Sequence, residues 1–139
     1  MKKNTKKKEN TKMVFILIII LTIVSLIAIP IIMRVIANAK SGAAVDSMYG
    51  YIKAIEVSSA SNIVTDGTKL NGMYTYKNGA LYQRNTKYLD INSSGTNPNS
   101  GYVDFNDGAI NHACLVFDGI NVTYDGTSAT VTNSCAVNE

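Results

Sequence analysis

The feature that most constrains this chain is an apolar run over residues 13–33, which passes into an amphipathic pattern without an intervening turn. The run is 21 residues long, carries no charge, and is interrupted only by Thr22, Ser25 and Pro30. The hydrocarbon core of a bilayer, about 30 Å thick, needs roughly 20 such residues in a helix. We therefore predict a transmembrane segment over residues 13–33.

Beyond the apolar run, apolar side chains recur at helical spacing as far as Ser61. The expected core-facing positions include Val45, Met48, Tyr49, Ile52 and Ile55. Charged residues fall mostly on the other faces, and no Gly-Pro or Asx turn stops the helix at the membrane surface. Since proline is tolerated in membrane helices, we predict one helix from about residue 13 to residue 61. Its amphipathic part, 34–61, would pack on a small domain.

Charge is distributed unevenly along the chain. Residues 1–12 hold six lysines and Glu9, a net charge of +5, whereas the remaining seven basic and nine acidic residues give −2. A basic N-terminal flank predicts a cytoplasmic N terminus and an extracytoplasmic remainder. A cleavable signal peptide, cut after Ala39, is the alternative, but its apolar region is typically about 7–15 residues. We favour a retained anchor.

The segment 62–139 has the alternation of short antiparallel strands. Turns at Asn78-Gly79, Asp107-Gly108, Asp118-Gly119 and Asp125-Gly126 separate the alternating runs, which is a hairpin signal. We predict an α+β fold, with a meander of five to seven strands covered by the amphipathic half of the helix. The polar stretch 92–101 is expected to be a loop.

Two cysteines, Cys114 and Cys135, lie in the part expected outside the membrane. An even count in an oxidising compartment predicts a disulfide, which would close a loop of about 22 residues and contribute roughly 3 kcal/mol. Two free buried thiols are the alternative.

Little in the sequence suggests catalysis or metal binding. The sole histidine, His112, has no nucleophile or carboxylate partner at a recognisable spacing. Residues 104–108 resemble the start of a calcium loop but lack the later glutamate, so a hairpin turn explains them better. We expect no catalytic residue, no metal site and no cofactor.

A basic and aromatic stretch, residues 69–88, is the one candidate for ligand contact. It contains four tyrosines, no acid, and the four basic residues Lys69, Lys77, Arg84 and Lys87. Basic groups interleaved with aromatic rings suit a nucleic-acid backbone and its bases. An exposed hairpin whose lysines protect an edge strand is the alternative, and it is favoured because the excess positive charge lies in the tail.

Two stretches resemble type IV pilins and pseudopilins, in particular pilin-like proteins of Gram-positive bacteria. These are IAIPIIMRVIANAKSGAAVDSMYGYIKAIE, residues 27–56, and GAINHACLVFDGINVTYDG, residues 108–126. The resemblance implies a helix half in lipid and half on an antiparallel sheet, together with assembly into filaments. The family's prepilin-peptidase signal is absent, because Lys8 stands where the family has glycine and Met13 where it has glutamate.

These observations predict four segments: a basic cytoplasmic leader (1–12), a transmembrane segment (13–33), an amphipathic continuation of the helix (34–61) and a β head domain (62–139). The expected function is a membrane-anchored structural subunit of a type IV pilus, type II secretion or competence-type filament. Its partners would be the membrane, other subunits and the assembly machinery. The alternative is a membrane-tethered or secreted β-domain that binds a ligand without polymerising. The residues expected to mediate anchoring and assembly are Met13, Phe15, Leu17, Leu21, Leu26, Pro30, Ile32 and Ile36.

Overall fold

A computed structural model describes residues 3–136, with side chains from residue 8 onward. The first part of the predicted leader therefore lies outside the described residues. The fold is α+β, as predicted: one N-terminal helix, α1 (Lys3–Asp66), precedes seven strands. These are β1 (Gly72–Lys77), β2 (Ala80–Gln83), β3 (Thr86–Asp90), β4 (Ser100–Asn106), β5 (Ala109–Phe117), β6 (Ile120–Tyr124) and β7 (Ala129–Thr132). The chain divides into two compact units, Met1–Ala39 and Lys40–Glu139, and α1 contributes residues to both.

In the first unit, the described residues are helical, and those from Met13 to Ile36 form a largely apolar surface. Large apolar side chains from Met13 to Ile36 are 50–74% exposed. The two hydroxyl side chains in the run bond to their own helix, because Thr22 Oγ1 donates to the Ile18 carbonyl (2.9 Å) and Ser25 Oγ to the Leu21 carbonyl (2.8 Å). These internal bonds satisfy groups that would otherwise be costly in an apolar medium.

The second unit buries one face of α1 against the sheet. The buried helix positions recur at three- and four-residue intervals, as expected for one helical stripe; they are Ala44, Met48, Tyr51, Ile52, Ile55 and Ser59. The prediction that Met48, Ile52 and Ile55 face the core is confirmed. Tyr49 is different: it is 41% exposed, and Tyr51 takes the central aromatic position in the core.

The helix extends further than the sequence pattern suggested. It begins at Lys3 rather than near residue 13, and it ends at Asp66 rather than at residue 61. Gly67, with a φ of 70°, follows its last residue and donates its N–H to the Ile63 carbonyl at 2.9 Å. A left-handed glycine of this kind is a common helix C-cap, so Asp66-Gly67 was the termination signal.

The sheet has the order β3-β2-β1-β4-β5-β6-β7, and every neighbouring pair is antiparallel. This corrects the predicted simple meander, because the chain leaves β3 at one edge and returns to pair β4 with β1. Asn99 anchors the returning segment: its N–H donates to the Val116 carbonyl (2.7 Å), and its Oδ1 accepts from the Asp118 N–H (2.9 Å). The alternation of side chains along each strand could not predict the pairing of β4 with β1, because these strands are far apart in sequence.

Three of the four expected hairpin turns have the expected conformation. Asn78, Asp107 and Asp118 have φ values near 50°, and each precedes a glycine of positive φ, as two-residue primed turns require. The fourth turn differs. The Asp125 carboxylate accepts the N–H groups of Thr127 (2.9 Å) and Ser128 (2.8 Å), so β7 begins at Ala129 and not directly after Gly126. These backbone hydrogen bonds, Ser128 first, hold the pKa of Asp125 well below its usual range.

Candidate functional site

The face of the sheet opposite α1, called the outer face below, carries a row of side chains that crosses all seven strands. Buried residues such as Val103 and Leu115 point the other way, into the core. The strand register places the residues of the row beside one another in the order Lys87, Tyr82, Thr75, Tyr102, Cys114, Thr123 and Thr130. The seven neighbouring strands thus present a lysine, two tyrosines, a cysteine and three threonines on one surface.

The predicted disulfide is present on this face. Cys114 of β5 is bonded to Cys135, and their Cα atoms are 5.4 Å apart. Because Cys135 follows the edge strand β7, the chain must fold back over β6 to reach β5. Asn121 of β6 supports this return by donating its Nδ2–H to the Asn133 carbonyl at 3.3 Å. The C-terminal segment is therefore held to the sheet at two points.

The basic stretch 69–88 is divided by the structure into two paired and two unpaired cations. Lys69 Nζ lies 3.1 Å from Asp107, and Lys87 Nζ lies 2.8 Å from Asp90. The hydrogen bond to Asp90 raises the pKa of Lys87. Among the described residues, Lys77 and Arg84 have no ion-pair partner within 4.0 Å.

Lys77 and Arg84 line one cavity of about 660 Å³ on the outer face, together with Thr75, Asn78, Tyr82 and Asn85. The lining therefore contains two cations, two side-chain amides, two hydroxyls and no acid. Of the four tyrosines in the stretch, Tyr74 and Tyr76 are buried in the core, Tyr88 is exposed beside Tyr74, and only Tyr82 contributes to the cavity. Of the four basic residues singled out from the sequence, two meet in one place.

His112 lies on the outer face, among polar and aromatic neighbours. Its Nε2 is 2.9 Å from Thr123 Oγ1, and its ring stacks on Tyr102 with centroids 5.8 Å apart. Within residues 3–136, no three His, Cys, Asp or Glu side chains come together as a possible metal site. The segment 104–108 forms the β4–β5 hairpin turn, as its hairpin interpretation predicted.

A second concavity, not anticipated from the sequence, lies between α1 and the loop after β3. It has a volume of about 590 Å³ and is lined on the helix side by Gly50, Ala54 and Val57, and on the loop side by Asn92 and Thr96, among others. Beneath it Tyr51 is 1% exposed, and its hydroxyl makes no hydrogen bond with a described residue. The loop covers residues 92–99 instead of the predicted 92–101, because Ser100 and Gly101 belong to β4. It has no periodicity, so its position could not be read from the sequence.

The apolar segment of α1 is the remaining candidate. Its most apolar 18-residue window has a mean hydropathy of 3.2, and none of the window is buried. Among the described residues, this helix is long enough and apolar enough to cross a membrane. A signal sequence would have the same properties. All eight residues assigned to anchoring and assembly, Met13 to Ile36, lie in this helix.

Comparisons with protein-family models, with curated proteins and with solved structures found no match to this chain. A proposal for its function therefore rests on its residues and their placement.

Proposed function

We propose that this chain is a structural, pilin-like or pseudopilin subunit that α1 anchors in the cell membrane. In this proposal it assembles with other copies or related subunits into a filament of the type IV pilus, type II secretion or competence kind. The head presents its loops, including residues 92–99, to partners. The chain performs no catalysis of its own.

The observation that carries the proposal is the exposed apolar part of α1. Large apolar side chains from Met13 to Ile36 are at least half exposed, and residues 34–44 remain helical between this part and the part that covers the sheet. Soluble monomers rarely expose apolar patches larger than about 300–600 Å². A surface of this kind needs lipid, or the matching helices of neighbouring subunits, to cover it.

Charge and redox chemistry support the proposed orientation. The lysine-rich first twelve residues favour a cytoplasmic N terminus, which leaves residues after Arg34 outside. The Cys114–Cys135 disulfide fits that location, because disulfides persist in oxidising compartments.

The prepilin-peptidase positions favour a second candidate, a membrane-tethered binding module that does not polymerise. Lys8 and Met13 stand where the pilin family has glycine and glutamate. Without that glutamate, no carboxylate in lipid is available to pair with a neighbouring subunit's N-terminal amine. The basic cavity on the outer face gives such a module a candidate ligand surface.

Mass spectrometry of the mature protein tests the anchor. A retained N terminus supports a static membrane anchor, and a start near Glu9 supports pilin-type processing. A protein that begins at Lys40 and is found in the medium contradicts the proposal, because it has lost the helix that would anchor and assemble it.

Substitution in the centre of the apolar run tests the same point. Leu21→Lys with Leu26→Lys should abolish retention in carbonate-washed membranes, because each lysine costs about 2.5–3.5 kcal/mol at the centre of a membrane helix. Leu21→Ala with Leu26→Ala is the control and should remain membrane-bound. Chemical cross-linking in intact cells then separates the two candidates: ladders of oligomers support the filament subunit, and a monomer alone supports the binding module.

A further inference from the structure

The cavity on the outer face places two free cations on either side of an aromatic ring. Thr75 and Tyr82 are cross-strand partners, and Lys77 lies two residues beyond Thr75, opposite Ala80. Arg84 lies two residues beyond Tyr82, which in an antiparallel hairpin is the opposite direction. The two cations therefore lie at opposite ends of the Thr75–Tyr82 pair, and all four residues line the same cavity.

The backbone at Arg84 is in a conformation that its side chain does not favour. Arg84 and Asn85 have φ values of 49° and 66°, in the left-handed region. Glycine, asparagine and aspartate are the usual residues in such a turn, whereas arginine there is uncommon. The Arg84 side chain makes no ion pair among the described residues that would offset this cost. Costly local conformations of this kind concentrate at binding sites.

A second ring continues the surface away from the cavity. Tyr102 is the partner of Thr75 on the next strand, so it lies two strands from Tyr82. At a strand spacing of about 4.8 Å, the two tyrosine positions are roughly 10 Å apart. The His112 ring stacks on Tyr102 and supports it. Rings on a sheet surface, flanked by cations, are a recurrent platform for unpaired bases.

From this arrangement we propose that the outer face binds a single-stranded polynucleotide. Lys77 and Arg84 contact successive phosphates, a base stacks on Tyr82, and Asn78 and Asn85 donate hydrogen bonds from the cavity wall. A duplex is disfavoured, because its bases are already stacked and cannot lie on a tyrosine ring. The proposal does not depend on filament formation, and a monomeric anchored protein would bind in the same way.

The experiment uses the full chain in detergent micelles with a fluorescein-labelled 12-nucleotide oligo-dT, measured by fluorescence anisotropy. Lys77→Gln with Arg84→Gln is compared with Lys53→Gln with Lys69→Gln. Both doubles remove two positive charges, but Lys53 and Lys69 are already in ion pairs, with Glu56 and Asp107. Every variant keeps the N-terminal lysines, so their non-specific contribution is common to all.

We expect the Lys77/Arg84 double to bind oligo-dT about tenfold more weakly and the control to stay within about twofold of wild type. Each single-strand phosphate contact contributes about 0.7 to the slope of log affinity against log salt. The slope should therefore fall by about 1.4 in the Lys77/Arg84 double. Tyr82→Leu should weaken binding about tenfold with the slope unchanged, because it removes stacking alone.

Arg84→Gly separates binding from folding. Glycine relieves the left-handed backbone, so the melting temperature should rise while affinity for oligo-dT falls; a purely structural role for Arg84 would move the two together or leave binding unchanged.

Three results would overturn the proposal: equal losses in the two double variants, no effect of Tyr82→Leu, or duplex DNA bound as tightly as the single strand. Heparin bound with the same dependence on Lys77 and Arg84 but not on Tyr82 would instead identify a general polyanion patch.

Discussion

Gly101, in β4, is the position at which the sheet most clearly depends on one residue. Its φ is 141°, a region that side chains rarely adopt. A Cβ placed there would overlap the carbonyl oxygen of Cys114 and lie 2.8 Å from Leu115 Cα. Both neighbours belong to β5, whose backbone is held by pairing on both sides. The site therefore has no easy way to relax.

We predict that Gly101→Ala lowers the free energy of unfolding by ~3 kcal/mol or more, as expected when strain and a backbone clash combine. Gly50→Ala is the matched control. It lies in α1, a Cβ there meets nothing within 4 Å, and alanine should stabilise the helix by about 0.5–1 kcal/mol. Urea unfolding followed by circular dichroism measures both; a loss at Gly101 no larger than 1 kcal/mol would contradict the strain argument.

At the residue scale, the sequence predicted some of the buried helix positions correctly and missed others. Helical spacing correctly identified Met48, Ile52 and Ile55 as buried, because large apolar side chains at such intervals have no alternative to the core. Tyr49 and Tyr51 are two residues apart and so point roughly 200° apart around a helix of 3.6 residues per turn. Tyr51 lies three residues after Met48 and four before Ile55, so it shares their buried face, and this spacing favoured it over Tyr49.

At the scale of elements, the contact of α1 with the sheet is centred on Tyr51. Its ring packs edge-to-face on Tyr76 (5.5 Å between centroids) and on Phe117 (6.3 Å). Its hydroxyl is buried without a hydrogen-bond partner among the described residues. An unpaired buried hydroxyl costs roughly 1–3 kcal/mol, so the helix–sheet contact includes a polar group that weakens it.

Tyr51→Phe should therefore stabilise the protein by ~1 kcal/mol at neutral pH. Burial, the largest cause, raises the pKa of Tyr51. Because the unfolded state then loses its proton first, the contribution of Tyr51 is fully present below about pH 10 and is lost as pH rises towards the folded-state pKa.

Between pH 10 and 11, wild type should thus lose up to ~1.4 kcal/mol more than Tyr51→Phe. Thermal unfolding of both proteins at pH 7, 10 and 11 makes the comparison. Parallel pH profiles of the two proteins would show that Tyr51 does not contribute.

Element boundaries follow local chemistry, and they were predicted well where that chemistry is simple. The turns that begin β2, β5 and β6 were predicted correctly, because each joins Asn or Asp to glycine. The turn that begins β3 was missed, since it uses Arg84 and Asn85, which give no conventional turn signal. The sequence singled out Lys77 and Arg84 but not the cavity that they line, because the Arg84-Asn85 turn, which forms part of its wall, gives no such signal.

At the scale of the whole molecule, the Cys114–Cys135 disulfide fixes the C-terminal segment to the head. The bond closes a loop with a sequence separation of 21 residues. Cys114→Ala with Cys135→Ala should lower the free energy of unfolding by about 3 kcal/mol, because the unfolded chain regains the freedom that the loop removes. Alanine is preferred to serine at Cys114, where a hydroxyl would be buried.

Urea unfolding of the alanine double variant, and of wild type with and without reductant, gives the measurement. Reduced wild type should resemble the double variant, and both should keep the secondary structure of the head. Loss of that structure on reduction would mean that the head cannot fold without the bond.

The order of the sheet was the largest whole-molecule feature that the sequence did not reveal. The α+β class followed from one long helical pattern and several alternating segments. The pairing of β4 with β1 joins strands separated by two others in sequence. Such a contact depends on the shared core of Tyr74, Val103 and Phe105, which is formed only in three dimensions.

Both cysteines lie on the surface of the sheet remote from α1, and neither belongs to the hydrophobic cluster. The helix can therefore dock on the strands, and the head can reach its final packing, while both sulfurs are still thiols. An oxidant would then act on an already folded head, and the bond would form as a last step in maturation.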